Sequence, residues 1–410
     1  MHGEQDADKR FGGVVMVQFN TQLVHGAGVN DNATGAVNPP IYNSSTYAFG
    51  SVDDAPRWDY ARSGNPTREF LERQIAQLEH GVQGFAFASG LAAIHAALSI
   101  FAPGDRIVVG ANIYGGTYSQ INEHFDRWGL DFSPVDTQDL DAVEEALSAA
   151  PVKALYFETL TNPLLQVNDV AALSQLAHRH GAIVIVDNTF VTPYLQQPLD
   201  LGADIVLHSA TKYLAGHSDV IAGLAVAKEE AVANRLYFAQ NRLGGVLPPA
   251  ESDAVRRGLQ TLALRVDRQQ DNARAIAQYL LAHPLVGSVH YPGIDEEGDA
   301  DLRKKGLKGA GGVLSFEVKE GVDPSIVLNS LKVFRLAVSL GAVESLAELP
   351  CRMTHFEIPR EERLKLGISD ELVRLAVGIE DVSDLLGDLE QAFEKARQSL
   401  STPARRTIHS

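Results

Sequence analysis

The sequence predicts an α/β fold, a mainly parallel sheet covered by helices on both faces with a smaller α/β domain after it, and two patterns carry that expectation. Short runs that are apolar throughout, Arg106-Ile-Val-Val109, Ala154-Leu-Tyr-Phe157, Ala182-Ile-Val-Ile-Val186 and Asp204-Ile-Val-Leu207, read as strands buried on both faces. Between them stand helical patterns such as Val170-Ala-Ala-Leu-Ser-Gln-Leu-Ala-His178, and strands alternating with helices build a parallel sheet. A chain of 410 residues with 45% hydrophobic content is long enough for a large core or for two domains.

Taken in order, residues 1–56 are rich in Asn, Gly, Pro and Ser with little periodicity, which suggests an arm laid over the core or over a neighbour. Its first fifteen or so residues read as a mobile extension, as do the polar residues 401–410 at the other end. Residues 57–250 hold the alternating pattern and form the expected large domain, with Gly244-Gly-Val-Leu-Pro-Pro249 near the junction. In residues 251–400 one long helical pattern, from Ala254 through Ala282, precedes further strands and helices of a smaller domain. No short repeat is visible, so a solenoid is not expected.

A formal net charge of -17 argues against a nucleic-acid-binding face and against attachment to anionic lipid, both of which need clustered Lys and Arg. Cys351 is the single cysteine, so no intrachain disulfide and no thiolate metal cluster is expected, which suits a reducing cytoplasm. The N-terminus lacks the apolar stretch of a secretory signal, and no run reaches the roughly 18 apolar residues of a membrane span.

Lys212 is the residue that most needs a reason. The run Ile205-Val-Leu207 delivers it into a cluster of Ser209, Ala210 and Thr211, although lysine is normally a surface residue. A partly desolvated lysine has a depressed pKa and forms a Schiff base with the aldehyde of pyridoxal phosphate; alone, it reads equally as a strand-end lysine reaching solvent. That cofactor also asks for an acid at its ring nitrogen, an anion cradle and something that holds its ring flat. Asp187 ends a strand at the carboxyl edge where open α/β sheets bind ligands, or caps a turn with Asn188 and Thr189. Ser89 and Gly90 stand just before an apolar helix, as a phosphate site or as a plain helix cap. Ser209 and Thr211 offer hydroxyls, and Tyr114, before Gly115 and Gly116, offers a ring to stack. Tyr60-Ala-Arg-Ser-Gly-Asn-Pro-Thr67 adds an arginine suited to a phosphate, on this chain or on a neighbour.

Together these segments, above all Ser209-Ala-Thr-Lys-Tyr213 followed by Gly216-His-Ser-Asp219, closely resemble the Cys/Met-metabolism (transsulfuration) family of fold-type-I pyridoxal phosphate enzymes over about Leu23 to Phe393. The resemblance implies the aspartate aminotransferase type of fold with a seven-stranded sheet. It implies Lys212 as the Schiff-base lysine, Asp187 as partner of the ring nitrogen, and Ser89, Gly90, Leu91, Ser209 and Thr211 as phosphate ligands. Tyr60 and Arg62 would cross to a partner subunit's phosphate, and Tyr114 would stack on the ring. Asn162 would lie near the ring hydroxyl, and Arg374, with Ser339 beside it, would fork the substrate carboxylate. Family members are typically homotetramers whose active sites are shared between paired subunits.

Which family reaction is expected rests on fewer residues. Gly116 stands where methionine γ-lyases typically carry cysteine, and Val338 where many cystathionine γ-lyases and γ-synthases have glutamate. The segments Trp58 to Thr67, Gly84 to Gly90 and Ala337 to Ser345 most resemble cystathionine β-lyases of Gram-positive bacteria. The expected reaction is β-elimination of L-cystathionine to homocysteine, pyruvate and ammonia. Cystathionine γ-lyase is the alternative, followed by cystathionine γ-synthase, O-acylhomoserine sulfhydrylase or methionine γ-lyase, and, from another class, a non-catalytic cofactor-binding regulator. His208 and His217 read as residues that orient backbone, Glu158 as pocket-ordering or structural, and Cys351 as packing.

Overall fold

The computed structural model describes residues 17–26 and 34–401; the expected N-terminal extension, residues 27–33 of the arm and residues 402–410 of the tail lie outside the described residues. The large sheet comprises β1 (Gln83–Phe87), β2 (Arg106–Gly110), β3 (Asp131–Val135), β4 (Ala154–Glu158), β5 (Ile183–Asp187), β6 (Ile205–Ser209) and β7 (Gly223–Ala227), in the spatial order β1-β7-β6-β5-β4-β2-β3. The runs read as strands are strands. Their alternate side chains enter two apolar clusters, with Val108, Leu155, Val184 and Val206 in one and Ile107, Tyr156, Ile185 and Ile205 in the other. Burial on both faces is why these strands lack a polar face.

One strand departs from a purely parallel sheet. β7 pairs antiparallel with both β1 and β6, because the connection from β6 is a series of turns around Lys212 and carries no crossover helix. The junction stretch is not a free linker either. Val246 bridges Phe87, and the amides of Ala88 and Leu247 bond Gly245 O and Ala86 O, so it covers part of the β1 edge.

The long pattern from Ala254 to Ala282 is two helices, Pro249–Leu259 and Leu262–Ala282. The break at Gln260 and Thr261 leaves Gly258 O to Arg265, whose Nη2 donates to it at 2.7 Å while its Nη1 donates to Tyr213 O at 2.7 Å. Gly258 is required here, since a Cβ would sit 2.4 Å from Ala215 O. The first helix is thus pressed against the segment that follows Lys212.

The second sheet has five strands, β8 (Val286–His290), β9 (Val313–Val318), β10 (Arg335–Leu336), β11 (Leu346–Glu348) and β12 (Leu372–Ala376), in the order β10-β11-β12-β9-β8. β11 and β12 are antiparallel and set Glu348 directly opposite Arg374. The arm is tied down where it is described, with Leu23 buried and its carbonyl held by Gln74 Nε2 at 3.0 Å. Among the described residues no helix is long and apolar enough to cross a membrane.

Candidate active site

The parallel strands β4, β5 and β6 end side by side, and their register sets Glu158 level with Asp187, and Asp187 level with Leu207. Asp187 Oδ1 accepts the Thr189 amide at 3.0 Å and the Thr189 hydroxyl at 2.5 Å, and Thr189 Oγ1 in turn accepts the Ser209 amide at 2.8 Å. The carboxylate therefore does cap its own turn, and it does so with one oxygen, which leaves Oδ2 for a ligand. Burial raises the Asp187 pKa, and burial together with the Asp187 charge pushes Glu158 well up. A cation set at Asp187 would relieve that penalty. Glu158 Oε1 accepts the Tyr114 amide at 2.5 Å, which fixes where the tyrosine leaves the sheet.

Ser89 caps the helix Gly90–Leu98: its Oγ accepts the Ala92 amide at 3.0 Å, which leaves the hydroxyl proton free to donate. The Gly90 and Leu91 amides lie at the same positive helix end. This corner admits no side chains. A Cβ on Gly90 would stand 2.8 Å from Ser209 Cβ, and one on Gly223 would stand 2.1 Å from Ser89 O. Thr211 Oγ1 already closes the turn to β7, donating to Ala222 O at 3.2 Å and accepting the Ala222 amide at 3.0 Å, so it reaches an anion only by giving up the first bond. Gly223→Ala is expected to lower stability by about 1–3 kcal/mol, because the atom it strikes is backbone and must move. Urea denaturation of the purified variant measures this, and an unchanged midpoint would contradict it.

Lys212 lies in the turn after β6 and is half-buried. Its Nζ donates to Ser339 Oγ at 2.8 Å. Burial first, then the Arg374 charge, lowers the Lys212 pKa to about 8, against an opposing pull from Glu348. Ser339 holds a left-handed backbone with φ of 98°, rare for a residue with a Cβ. That conformation coincides with two contacts at once, since Ser339 O accepts Arg374 Nη2 at 2.8 Å. Arg374, on β12 and buried, also donates through Nη1 to Asn162 Oδ1 at 2.9 Å and pairs with Glu348 at 3.0 Å. Its Nε is buried without a partner among the described residues.

Lys212, Ser339, Arg374 and Asn162 are thus directly linked, and Asp187 joins Ser209 through Thr189. Tyr114 is 43% exposed, and a Cβ on Gly116 would meet its ring at 2.5 Å, so a cysteine there would displace it. Val338 is exposed and apolar beside Ser339. Tyr60 and Arg62 are exposed on this chain; Arg62 stacks on the Tyr60 ring at 5.3 Å and bonds Asn241 Oδ1 at 3.3 Å. His217 bonds the Ala215 carbonyl, as read, whereas His208 is buried against the Glu79 carboxylate at 2.6 Å and orients no backbone through that nitrogen. Cys351 is half-buried against the core.

Two residues of the site, Glu348 and Thr354, escaped the sequence reading, and Thr189 was named there only in the turn that Asp187 caps. Thr189 bridges Asp187 and Ser209, Glu348 pairs with Arg374, and Thr354 donates to Glu348 Oε1 at 2.7 Å. His355 packs between Thr354 Oγ1 and Asn162 O, and burial lowers its pKa to about 4, which keeps it neutral. A signal for Glu348 does exist: Leu346-Ala-Glu-Leu349 and Leu372-Val-Arg-Leu375 each hold one charge in an apolar run, of opposite sign.

The donor set fits pyridoxal phosphate. It offers an amine of lowered basicity, a half-buried carboxylate with one free oxygen, and a helix start with a free hydroxyl, held close to β6 and β7 by the absence of side chains at Gly90 and Gly223. Comparison with known proteins agrees. The model of the family described as Cys/Met metabolism PLP-dependent enzyme matches residues 20–394. The cystathionine beta-lyase of Lactococcus lactis subsp. cremoris (strain MG1363) is 47% identical over 380 residues, 93% of this chain and 100% of that protein. The cystathionine gamma-lyase of Bacillus subtilis (strain 168) is 47% identical over 91% of this chain and 98% of its own length. Among solved structures, cystathionine gamma-lyase from Lactobacillus plantarum, complexed with L-serine, superposes with a TM-score of 0.90 at 48% identity, covering 93% of this chain and 100% of that one. With its two sheets, its lysine-centred site and this similarity along nearly the whole length, the chain belongs to the family of pyridoxal-phosphate-dependent enzymes of Cys/Met metabolism.

Proposed function

We propose that this enzyme is a carbon–sulfur lyase that cleaves L-cystathionine by β-elimination, releasing homocysteine, pyruvate and ammonia. The observation that carries the reading is the linkage through Ser339, whose hydroxyl accepts Lys212 Nζ while its carbonyl accepts Arg374. An α-amino acid whose carboxylate rests on Arg374 then carries its α carbon next to the lysine. Val338 beside this seat is exposed and apolar, so the distal ammonium that cystathionine carries finds no carboxylate at that position.

In this reading Lys212 would hold the cofactor covalently, Asp187 Oδ2 would take its ring nitrogen, and Tyr114 would cover one ring face. Asn162 would lie near the ring hydroxyl. Ser89, Gly90, Leu91, Ser209 and Thr211 would hold the phosphate, with Tyr60 and Arg62 reaching the phosphate of a paired subunit. When bound, pyridoxal phosphate supplies an electron sink for negative charge at the substrate's α carbon. Lys212 Nζ, which the substrate's amine would displace from the cofactor, then takes the α proton, and burial that lowers its pKa to about 8 suits it to do so close to neutral pH. Arg374 fixes which bond faces that amine, and the Tyr114 hydroxyl, its pKa raised by burial, stays protonated as a donor. The bond between the β carbon and sulfur breaks, sulfur leaves with the electron pair as homocysteine, and water completes the release of ammonia and pyruvate.

The assembly that suits exposed Tyr60 and Arg62 is a homotetramer of dimers with shared sites, working in the cytoplasm. Domain limits near 57–250 and 251–400 suit the two sheets. Cystathionine γ-lyase action is the second reading, favoured by the γ-lyase names among the relatives. Product identity separates them. Incubating the holo-enzyme with L-cystathionine, against a Lys212→Ala blank, is expected to give pyruvate and homocysteine by chromatography. 2-Oxobutyrate with cysteine would replace β- by γ-elimination, and neither product would remove the lyase reading and send the test to O-acylhomoserine with a thiol.

A further inference from the structure

We infer that Glu348 is a positioning residue for substrate binding: it clamps the Arg374 guanidinium so that two N–H groups stay open to a carboxylate. The inference rests on the proposal that Arg374 takes the substrate's carboxylate. The cross-strand register places the two residues opposite each other, and both are buried, at 0% and 2% exposed. Glu348 Oε1 lies 3.0 Å from Arg374 Nη1 and also accepts the Thr354 hydroxyl, while Oε2 is buried without a partner among the described residues. A carboxylate this buried is costly unless paired, so each charge holds the other in place.

A guanidinium has five N–H groups. Asn162 Oδ1 takes one N–H of Nη1, Glu348 Oε1 closes that side of the guanidinium as an ion pair 3.0 Å from Nη1, and Ser339 O takes one N–H of Nη2. What remains is the buried, unpartnered Nε–H and the second N–H of Nη2, the number that one bidentate carboxylate uses. Without Glu348 the guanidinium could rotate and offer any edge. Position and charge act in opposite directions here, because a negative Glu348 weakens the pull of Arg374 on an incoming carboxylate. The benefit of Glu348 is therefore geometric, and that fixes the sign of the test.

The probe is glycine, which carries the carboxylate and no leaving group, titrated into the holo-enzyme by calorimetry, with KM and kcat for L-cystathionine measured alongside. Glu348→Ala is expected to raise the glycine Kd and the KM about 10–100-fold, the range for losing a charge-assisted hold, with a smaller change in kcat. Glu348→Gln keeps an acceptor at the same place and loses the charge, so it is expected to bind glycine at least as tightly as the natural enzyme. Thr354→Val, which loosens the clamp from outside, is expected to weaken glycine binding in the same direction and less, and it serves if the alanine variant does not fold. Glu348→Ala or Thr354→Val with unaltered glycine binding would overturn the inference, as would Glu348→Gln binding as weakly as Glu348→Ala. An unaltered glycine Kd in Arg374→Lys would instead remove the assignment of Arg374 itself.

Discussion

Lys212→Ala is expected to reduce kcat by on the order of 10⁴-fold, the upper end of the loss that follows when a positioned proton acceptor is removed. No neighbour replaces it. Ser339 Oγ is the atom its amine touches, and a hydroxyl is no base at neutral pH. His355 is neutral, but it is held between Thr354 and the Asn162 carbonyl. Lys212→Arg is expected to fare no better, since a guanidinium does not give up its proton in the working range. Rates of product release measured at saturating L-cystathionine check both variants; turnover within tenfold of the natural enzyme would remove Lys212 from the reaction.

The same residue sets a pH dependence whose sign can be worked out. In the cofactor-free chain the amine titrates near 8, against 10.5 as its ordinary value, because burial opposes its charge. The unfolded chain holds that proton more tightly, so below pH 8 the folded state carries the full penalty of roughly 3 kcal/mol, which fades as pH rises from 8 to 10.5. Lys212→Met removes the penalty and also loses one hydrogen bond to Ser339, which is worth about 1 kcal/mol. The cofactor-free variant is therefore expected to be roughly 2 kcal/mol more stable than the natural chain at pH 7, with the advantage closing above pH 8. Denaturant midpoints across that range measure it.

Local chemistry explains what could be read from the sequence. A lysine after an apolar strand, an aspartate ending the strand before it, and Ser89-Gly90 before a helix each declare themselves within a few residues, because their strands and helix need only short-range pattern. The reversed β7 did not, since Gly223-Leu-Ala-Val-Ala227 is as apolar as its parallel neighbours and direction is set by the connection. The break at Gln260 and Thr261 was equally silent, as the Gly258 carbonyl is bonded by Arg265, which belongs to the second helix. Glu348 required knowing that β11 lies beside β12 in one register, which is a property of the assembled sheet. Tyr60 and Arg62 go further still: on one chain they touch each other and Asn241, and their proposed target belongs to a second chain.

Arg374→Lys is expected to lower kcat/KM for L-cystathionine by roughly 10²–10⁴-fold, the product of two charge-assisted hydrogen bonds at about 1.5–3 kcal/mol each. Lysine is the informative substitution because it keeps a positive charge near Glu348. Arg374→Ala would leave that carboxylate buried and uncompensated, at a cost of about 3–5 kcal/mol that confuses folding with binding. A lysine ammonium is a point charge on a flexible stem and cannot make the planar contact to Asn162, Ser339, Glu348 and a carboxylate together. Affinity should therefore fall first, seen in KM. The orientation of the α carbon toward Lys212 should fall with it, seen in kcat, since Ser339 binds the lysine and the arginine through one residue and loses its anchor on one side. A variant with raised KM and intact kcat would mean that Arg374 only gathers substrate and that Ser339 alone sets the geometry at Lys212. Losses in both would mean that the carboxylate seat and the proton acceptor work as one rigid unit, built from β12, the left-handed Ser339 and the turn after β6.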